Sequence, residues 1–303
     1  MNGRISHFSQ VASLRRYTIT DGSEKGLEVL DCDNGKIRFL LNVSKASDIM
    51  QVYHEGQNVS FISKNGFTNR EIPFLRRFEG GMLYTCGLDS VGGREEYELH
   101  GTLHQIPAHI VRATCDDKGI AVEALIRDTA LFGKNLVLKR RITSAIGADC
   151  VTLEDTLTNE GFADEDYCLL YHINVGYPML DEGARVVADV ATCEPRTPWS
   201  AQNMATVYEM GAPVPNMEET CYFLKLNRPE ISLVNEKLGK KLTVSYSNDT
   251  LPHFVQWKSM ASGDYALGLE PATTELDDRF AYKTIKPSES IVFKTVIAIS
   301  NQK

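Results

Sequence analysis

The chain has 303 residues, a formal net charge of -8, 43% hydrophobic residues and 24% charged residues. This length allows a large hydrophobic core, and the composition is that of an ordinary globular protein. The negative charge argues against nucleic acid or an anionic membrane as a partner, because both require concentrated lysine and arginine. We therefore expect a neutral small molecule as the ligand.

The cysteines indicate a reducing environment. There are seven, at positions 32, 86, 115, 150, 168, 193 and 221, and none forms a C-x-x-C pair. An odd number without paired spacing argues against a disulfide framework or a structural zinc site, and favours buried free thiols. The N-terminal stretch "MNGRISHFSQVASLRR" has no apolar signal region, and no apolar run is long enough for a membrane span. We therefore expect a cytoplasmic protein.

From about residue 36 onwards, short β-type segments follow one another. In chain order they are "KIRFLLNV", "NVSFIS", "GMLYTC", "HIVRATC", "IAVEALIRDTAL", "NLVLKRRIT", "DCVTLEDTLT", "CYFLKL", "SLVNE", "KLTVSYS", "HFVQWKS", "DYALGLE", "AYKTI" and "SIVFKTVIAIS". Turn clusters such as "DDKG" and "FGKN" separate the four consecutive segments from "HIVRATC" to "DCVTLEDTLT", as hairpins require. Short helices are predicted only at 45–53 and 198–210.

This pattern predicts an all-β protein, a large antiparallel β-sandwich or barrel. No linker, repeat or low-complexity tract interrupts it. We therefore expect a single domain over residues 1–303, with residues 1–35 as an N-terminal extension packed on it.

The stretch "YELHGTLHQIPAHIV" holds three of the seven histidines: His100, His104 and His109. Gly101 and Pro107 argue against a helix, so we expect a strand. On a strand, His100 and His104 share one face about 13 Å apart, which is wide for one metal but suits a groove for a sugar-sized ligand. Half-exposed histidines without a function explain the pattern equally well.

A second stretch, "LLYHINVGYPML", places His172 and Asn174 on one face of a strand whose other face is apolar. A polar face in an apolar strand is informative, because polar groups buried without partners cost free energy. The alternative is a solvated sheet face, which is common in antiparallel sheets.

In "GDYALGLEPAT", Ala266, Gly268 and Glu270 share a face, so two small residues leave space beside one carboxylate. The alternative is an ordinary glutamate at a strand end. Just upstream, "HFVQWKSM" places Gln256 and Lys258 on one face and Trp257 on the other, either as a sugar platform or as core packing.

Together, "ELHGTLHQIPA", "YHINVGYPML" and "LGLEPAT" in this order resemble the galactose mutarotase (aldose 1-epimerase) superfamily, most closely a bacterial branch labelled as a domain of unknown function. The resemblance covers roughly residues 35–300. It implies a large antiparallel supersandwich with a sugar groove on one sheet. It also implies that no metal or cofactor is needed.

The resemblance assigns three catalytic roles. Glu270 would be the base that removes the proton of the C1 hydroxyl, and His172 the acid that protonates the ring oxygen. His100, in the "HG" motif, would hold a hydroxyl or stabilise charge on the ring oxygen.

Six further residues are expected to contact the sugar: His104, Asn174, Gln256, Lys258, Arg77 and Asp89. His104 stands where sugar-phosphate epimerase relatives carry arginine, which weakens the case for a phosphorylated substrate. Arg77 and Asp89 are assigned from position only.

Three functions remain open. The first is an isomerase, a mutarotase or epimerase acting on a free sugar. The second is a non-catalytic carbohydrate-binding or regulatory protein with the same groove. The third is a cupin-type metal enzyme using His100, His104 and Glu270, which is the poorest match because cupin ligands usually come as a tight H-x-H cluster. The sequence leaves the sugar and the oligomeric state open.

Overall fold

A computed structural model describes residues 3–302 of the protein, so the predicted domain ends at 1 and 303 lie outside the described residues. The strands are β1 (Ser13–Thr18), β2 (Glu28–Asp33), β3 (Ile37–Asn42), β4 (Asp48–His54), β5 (Gln57–Asn58), β6 (Tyr84–Leu88), β7 (His109–Asp116), β8 (Gly119–Thr129), β9 (Asn135–Ser144), β10 (Cys150–Asn159), β11 (Glu165–Val175), β12 (Arg185–Pro195), β13 (Thr220–Asn235), β14 (Lys240–Tyr246), β15 (His253–Ala261), β16 (Asp264–Ala272), β17 (Lys283–Ile285) and β18 (Ser290–Asn301).

Helical structure in the described residues is short. There are two α-helices, α1 (Phe74–Arg77) and α2 (Pro198–Gln202), and single 3₁₀ turns at Phe8–Gln10, Leu103–Gln105, Met204–Thr206 and Asp277–Arg279. None of these helices is long and apolar enough to cross a bilayer. The all-β prediction is confirmed.

The strands form two antiparallel sheets. The smaller sheet has the order β1-β2-β3-β4-β5, and the larger has the order β17-β11-β16-β15-β13-β14-β18-β10-β9-β8-β7. In the larger sheet β12 also pairs with β13, and β6 pairs with β11. Within the predicted N-terminal extension, residues 3–35 contribute β1 and β2 to the smaller sheet.

The predicted helix at 45–53 is wrong. Ala46 and Ser47 form a turn with positive φ angles of 49° and 53°, and β4 follows directly. Ile49 and Val52 enter the main core from this strand. The predicted helix at 198–210 is shorter than expected, because α2 ends at Gln202 and only a 3₁₀ turn follows.

A buried ionic network lies among the core residues and joins the two sheets. Arg140 on β9 donates hydrogen bonds to Asp155 on β10 at 2.7 Å and to Asp48 on β4 at 2.5 Å. The Tyr171 hydroxyl donates to the same Asp155 at 2.8 Å. Removing one partner of such a network leaves an uncompensated buried charge and typically costs about 3–5 kcal/mol. The network therefore fixes how the smaller sheet sits on the larger one.

All seven cysteines are free thiols, as expected. Cys32, Cys86, Cys168 and Cys221 are buried, and the other three are partly buried.

Candidate functional site

The register between β11 and β16 brings two predicted catalytic residues together. Ile173 pairs with Leu269, and both side chains lie in the main hydrophobic core. Because side chains alternate between the faces of a strand, the residues one step along lie opposite each other on the other face. Those residues are His172 and Glu270.

The His172 and Glu270 side chains are in contact and almost wholly buried. His172 Nε2 lies 3.3 Å from Glu270 Oε1, and the two residues are 5% and 2% exposed. Neither His172 Nδ1 nor Glu270 Oε1 has a hydrogen-bond partner within residues 3–302. Buried polar atoms are usually satisfied, so two such atoms on residues in contact suit a site that binds a polar ligand.

Gly268 makes room for this contact. A Cβ atom at Gly268 would lie 2.2 Å from Glu270 Oε1 and 3.2 Å from His172 Cε1. The carboxyl group of Glu270 therefore folds back over Gly268 towards His172. Gly268 is therefore required for the Glu270 carboxyl group to approach His172.

Burial pushes the pKa values of the pair in opposite directions. Desolvation raises the pKa of Glu270 well above its usual range; Glu219 adds to this effect, and Arg196 opposes it. Desolvation also lowers the pKa of His172 well below its usual range, and the nearby His100 adds to this. Both groups thus favour their uncharged forms, so the single titratable proton of the pair rests on Glu270 and can pass to His172.

His100 reaches the same place from a turn and not from a strand. His100 and Gly101 both have positive φ angles, 67° and 73°. A Cβ atom at Gly101 would lie 2.5 Å from Asp89 Oδ1, so only glycine fits in the second position. Asp89 also accepts hydrogen bonds from the Thr102 backbone N–H at 3.1 Å and the Thr102 hydroxyl at 2.9 Å.

The tautomer of His100 follows from one hydrogen bond. The backbone N–H of Gly92 donates to His100 Nδ1 at 3.2 Å, which leaves the ring proton on Nε2. Burial lowers the pKa of His100 to about 4, and the positive charge of Arg196 contributes. The ring centroid lies 5.5 Å from that of His172. His100 is thus a neutral hydrogen-bond donor beside the Glu270–His172 pair.

His100, His172 and Glu270 line one cavity of about 690 Å³. Cavities of this size are typical of small-molecule sites. Trp257, Arg196 and Glu219 line the same cavity.

Trp257 is on the wall because its β-register places it there. It pairs with Gly268 on one side and with Cys221 on the other. Its ring centroid is 5.4 Å from that of His172, and its indole N–H donates to Glu219 Oε2 at 2.7 Å. The alternation in "HFVQWKSM" identifies two faces of β15 but does not indicate which one meets the cavity.

Gln256 and Lys258 therefore lie on the wrong face of β15 for the predicted contact with a sugar. Gln256 Nε2 donates to the Val207 carbonyl at 2.7 Å. Lys258 Nζ donates to the Thr206 carbonyl at 2.6 Å. Both side chains support the 204–209 segment, so we revise their assignment to a structural one.

His104 is also misassigned. It lies in the 3₁₀ turn Leu103–Gln105, with Nδ1 at 2.6 Å from Asp48 Oδ2 and Nε2 at 3.3 Å from Glu79 Oε1. Its ring stacks on Tyr84 with centroids 3.8 Å apart. Burial alone would lower the pKa of His104, but the bonds to Asp48 and Glu79 outweigh burial and raise it. His104 belongs to the buried ionic network and not to the cavity wall.

Three other predicted contacts also lie off the cavity wall. Arg77 is buried and donates to Glu98 Oε1 at 2.7 Å, and Asp89 holds the turn at His100. Asn174 shares the face of His172 but donates from Nδ2 to the His172 carbonyl at 2.9 Å, and its Oδ1 atom is buried without a partner. We assign all three to supporting the site.

The cupin-like ligand set is not assembled. His104 points at Asp48 and Glu79, whereas His100 and Glu270 face the cavity. Among residues 3–302, no group of three or more His, Cys, Asp or Glu side chains is arranged to hold a metal ion.

The fold is that of solved mutarotase-like proteins. A Klebsiella pneumoniae protein described as a "putative aldose 1-epimerase" superposes with a TM-score of 0.86 at 19% identity, covering 97% of this chain and 86% of that chain. A galactose mutarotase-like protein from Clostridium acetobutylicum superposes with a TM-score of 0.71 at 14% identity, covering 97% of this chain and 100% of that chain. At these identities the likeness establishes the fold alone. No curated protein matches the sequence.

The resemblance to the galactose mutarotase superfamily is thus confirmed at the level of fold. One family model confirms the branch labelled as a domain of unknown function. It matches residues 24–284, which is most of the chain. The protein belongs to the family described as "Domain of unknown function (DUF4432)".

Proposed function

We propose that the protein is an aldose 1-epimerase-like isomerase, which interconverts the α and β anomers of a free sugar. The observation that carries the proposal is the contact between Glu270 and His172 inside a cavity, with the neutral His100 donor beside it. A carboxyl group and an imidazole that share one proton form the acid–base pair that this reaction needs. The fold shared with aldose epimerase-like proteins supports the same function.

In each ring opening one proton passes from the sugar to Glu270 and one passes from His172 to the sugar. The shared proton first passes from Glu270 to His172, which leaves Glu270 as a carboxylate. Glu270 then takes the proton of the C1 hydroxyl while the bond between C1 and the ring oxygen breaks, and His172 gives its proton to the ring oxygen. The product is the open-chain aldehyde, which rotates about its C1–C2 bond and closes by the reverse steps with the other configuration. No electrons are lost or gained, so the reaction needs no redox partner. Each positioned acid or base typically contributes about 10²–10⁴-fold.

His100 would act without changing its own protonation. Its Nε2–H group can donate to the ring oxygen as negative charge develops there, because Nδ1 is held by Gly92. Its lowered pKa suits this role, since a neutral imidazole keeps its donor without competing for the transferred proton. Trp257, held by Glu219, would offer a flat apolar surface to the sugar ring.

The test is anomer exchange measured by NMR on a panel of neutral aldoses, with the uncatalysed rate subtracted. We expect the purified protein to accelerate exchange of at least one sugar in proportion to protein concentration. If calorimetry detects sugar binding but the exchange rate stays at the uncatalysed value, the non-catalytic carbohydrate-binding function replaces the enzyme.

A further inference from the structure

Part of the cavity lining is made of apolar side chains. This apolar wall consists of Phe61, Phe74, Phe78, Leu99 and Leu276. Phe74 and Phe78 pack on each other with ring centroids 5.1 Å apart. The wall begins directly beside the reacting groups, because Phe74 lies 5.2 Å from His100 and Phe78 lies 5.6 Å from His172, measured between ring centroids.

The polar side chains near this wall are already engaged with the protein. Ser63 Oγ donates to the Phe78 carbonyl at 2.5 Å. Asn65 Nδ2 donates to the same carbonyl at 2.9 Å and to the Leu75 carbonyl at 3.2 Å. A sugar hydroxyl pressed against the wall would lose its hydrogen bonds to water and find few replacements, which costs free energy.

The charged groups of the cavity also point to a neutral ligand. Arg196 is held by Asp277 through two hydrogen bonds of 2.6 and 2.8 Å. Lys64 Nζ lies 2.7 Å from Asp264 Oδ2. Each of these cations is thus paired with a carboxylate, and Glu219 also lines the cavity. A phosphate or carboxylate on the sugar would therefore meet the negative charge of Glu219 and no unpaired cation among the cavity-lining residues.

We propose that the site selects a neutral deoxy-aldose, a sugar in which a methyl group replaces the hydroxymethyl group and contacts the apolar wall. This inference rests on the proposed function in so far as a sugar is the ligand. The acid–base pair, His100 and Glu219 would serve the oxygen-bearing edge of the ring, and the wall would cover the methyl group. An apolar pocket discriminates only moderately against an added hydroxyl, so we expect a preference of about ten- to hundredfold in kcat/KM.

The test uses sugars that differ only at one position. D-Galactose carries hydroxymethyl, 6-deoxy-D-galactose carries methyl, and L-arabinose carries hydrogen at the equivalent ring carbon. Glucose, 6-deoxyglucose and xylose form a second series. Anomer exchange is measured for every member, and we expect the methyl sugar to have the highest kcat/KM within at least one series. A hydroxymethyl or hydrogen sugar that equals or exceeds its methyl partner in both series overturns the inference and leaves the proposed function standing.

A variant of the apolar wall tests whether this wall causes the preference for methyl sugars. Leu99→Gln adds hydrogen-bonding groups to the apolar wall and is expected to narrow the ratio between methyl and hydroxymethyl sugars. Leu131→Gln is the matched control, because Leu131 is 87% exposed and lies on a hairpin away from the cavity. An unchanged ratio in a folded Leu99→Gln protein contradicts the role of the wall. If Leu99→Gln does not fold, Phe74→Gln, at a partly buried position of the same wall, takes its place.

Binding separates this inference from the proposed reaction. If the protein accelerates no sugar, calorimetry on the same two series is decisive. Tighter binding of a methyl sugar then supports the apolar wall while the proposed catalysis fails, and equal or absent binding across both series overturns the inference as well.

Discussion

His172 Nε2 lies 3.3 Å from Glu270 Oε1 because β11 and β16 pair in the one register that places these two residues opposite each other. A shift of one residue in this register would turn one of the two side chains into the apolar core and separate the pair. The acid–base pair is therefore a property of sheet pairing and not of a loop. It is rigid enough to be tested by conservative substitutions.

The first prediction concerns Glu270 and His172 themselves. Glu270→Gln keeps the volume and polarity of the side chain but cannot take a proton, so anomer exchange should fall by about 10²-fold or more while sugar binding persists. His172→Asn should behave in the same way, because an amide cannot protonate the ring oxygen. Exchange NMR measures the rates and calorimetry measures binding.

Glu182→Gln, at an exposed glutamate, is the control for the loss of one carboxylate and should exchange like the wild type. If Glu270→Gln exchanges a sugar as fast as the wild type does, Glu270 is not the base.

The second prediction concerns Gly268. In Gly268→Ala the new methyl group would lie 2.2 Å from Glu270 Oε1, so the carboxyl group must move away from His172. A displacement on the order of 1 Å can cost about 10²-fold in rate, and we expect a loss of that size with little change in the melting temperature. Gly211→Ala is the matched control, because a Cβ atom there meets no heavy atom within 4 Å. A Gly268→Ala protein with wild-type exchange would show that the back-folded position of Glu270 is not needed.

Part of the site could be predicted from the sequence, because alternation on a strand is a local property. The polar residues His172 and Asn174, and the small residues beside Glu270, identify the faces of β11 and β16 without knowledge of the fold. The pairing that brings those faces together depends on strand order in the sheet, which alternation does not specify. The family resemblance supplied that part.

The other residues could not be predicted because the deciding contacts are distant in sequence. One face of β15 lines the cavity and the other packs against the 204–209 segment. Alternation alone therefore could not show that Trp257, and not Gln256 and Lys258, lines the cavity. The sequence pattern predicts a strand that carries both His100 and His104, but the left-handed conformations of His100 and Gly101 end any strand there. Its real partners, Asp48 and Glu79, lie 56 and 25 residues away.

The third prediction follows from this new position of His104. His104→Asn should lower the free energy of unfolding and leave sugar binding unchanged, since the side chain contacts Asp48 and Glu79 and not the cavity. The folded-state pKa of His104 is raised above its ordinary value of 6.5. Its ionic contribution is therefore fully present below pH 6.5 and is lost as the pH rises through the raised folded pKa.

Urea unfolding of the wild type and of His104→Asn, below pH 6.5 and above the raised folded pKa of His104, measures the difference in their free energies of unfolding. We expect the gap between the two proteins to be larger at the acidic end. A gap that does not depend on pH would show that His104 contributes through packing on Tyr84 alone, and weaker sugar binding by the variant would return His104 to the site.

The last prediction uses Glu219 to test the shared proton of the pair. The reactive form holds one proton between Glu270 and His172, so kcat/KM should have a bell-shaped dependence on pH. The alkaline limb marks loss of that proton and follows the pKa of Glu270, which burial raises and Glu219 raises further. Glu219→Gln removes the negative charge while its amide oxygen can still accept the Trp257 hydrogen bond, so the alkaline limb should move to lower pH. The exposed neighbour Glu218 provides the matched control, and Glu218→Gln should leave the limb in place. An alkaline limb that stays fixed or moves to higher pH in Glu219→Gln would mean that Glu270 does not hold the proton that limits the reaction.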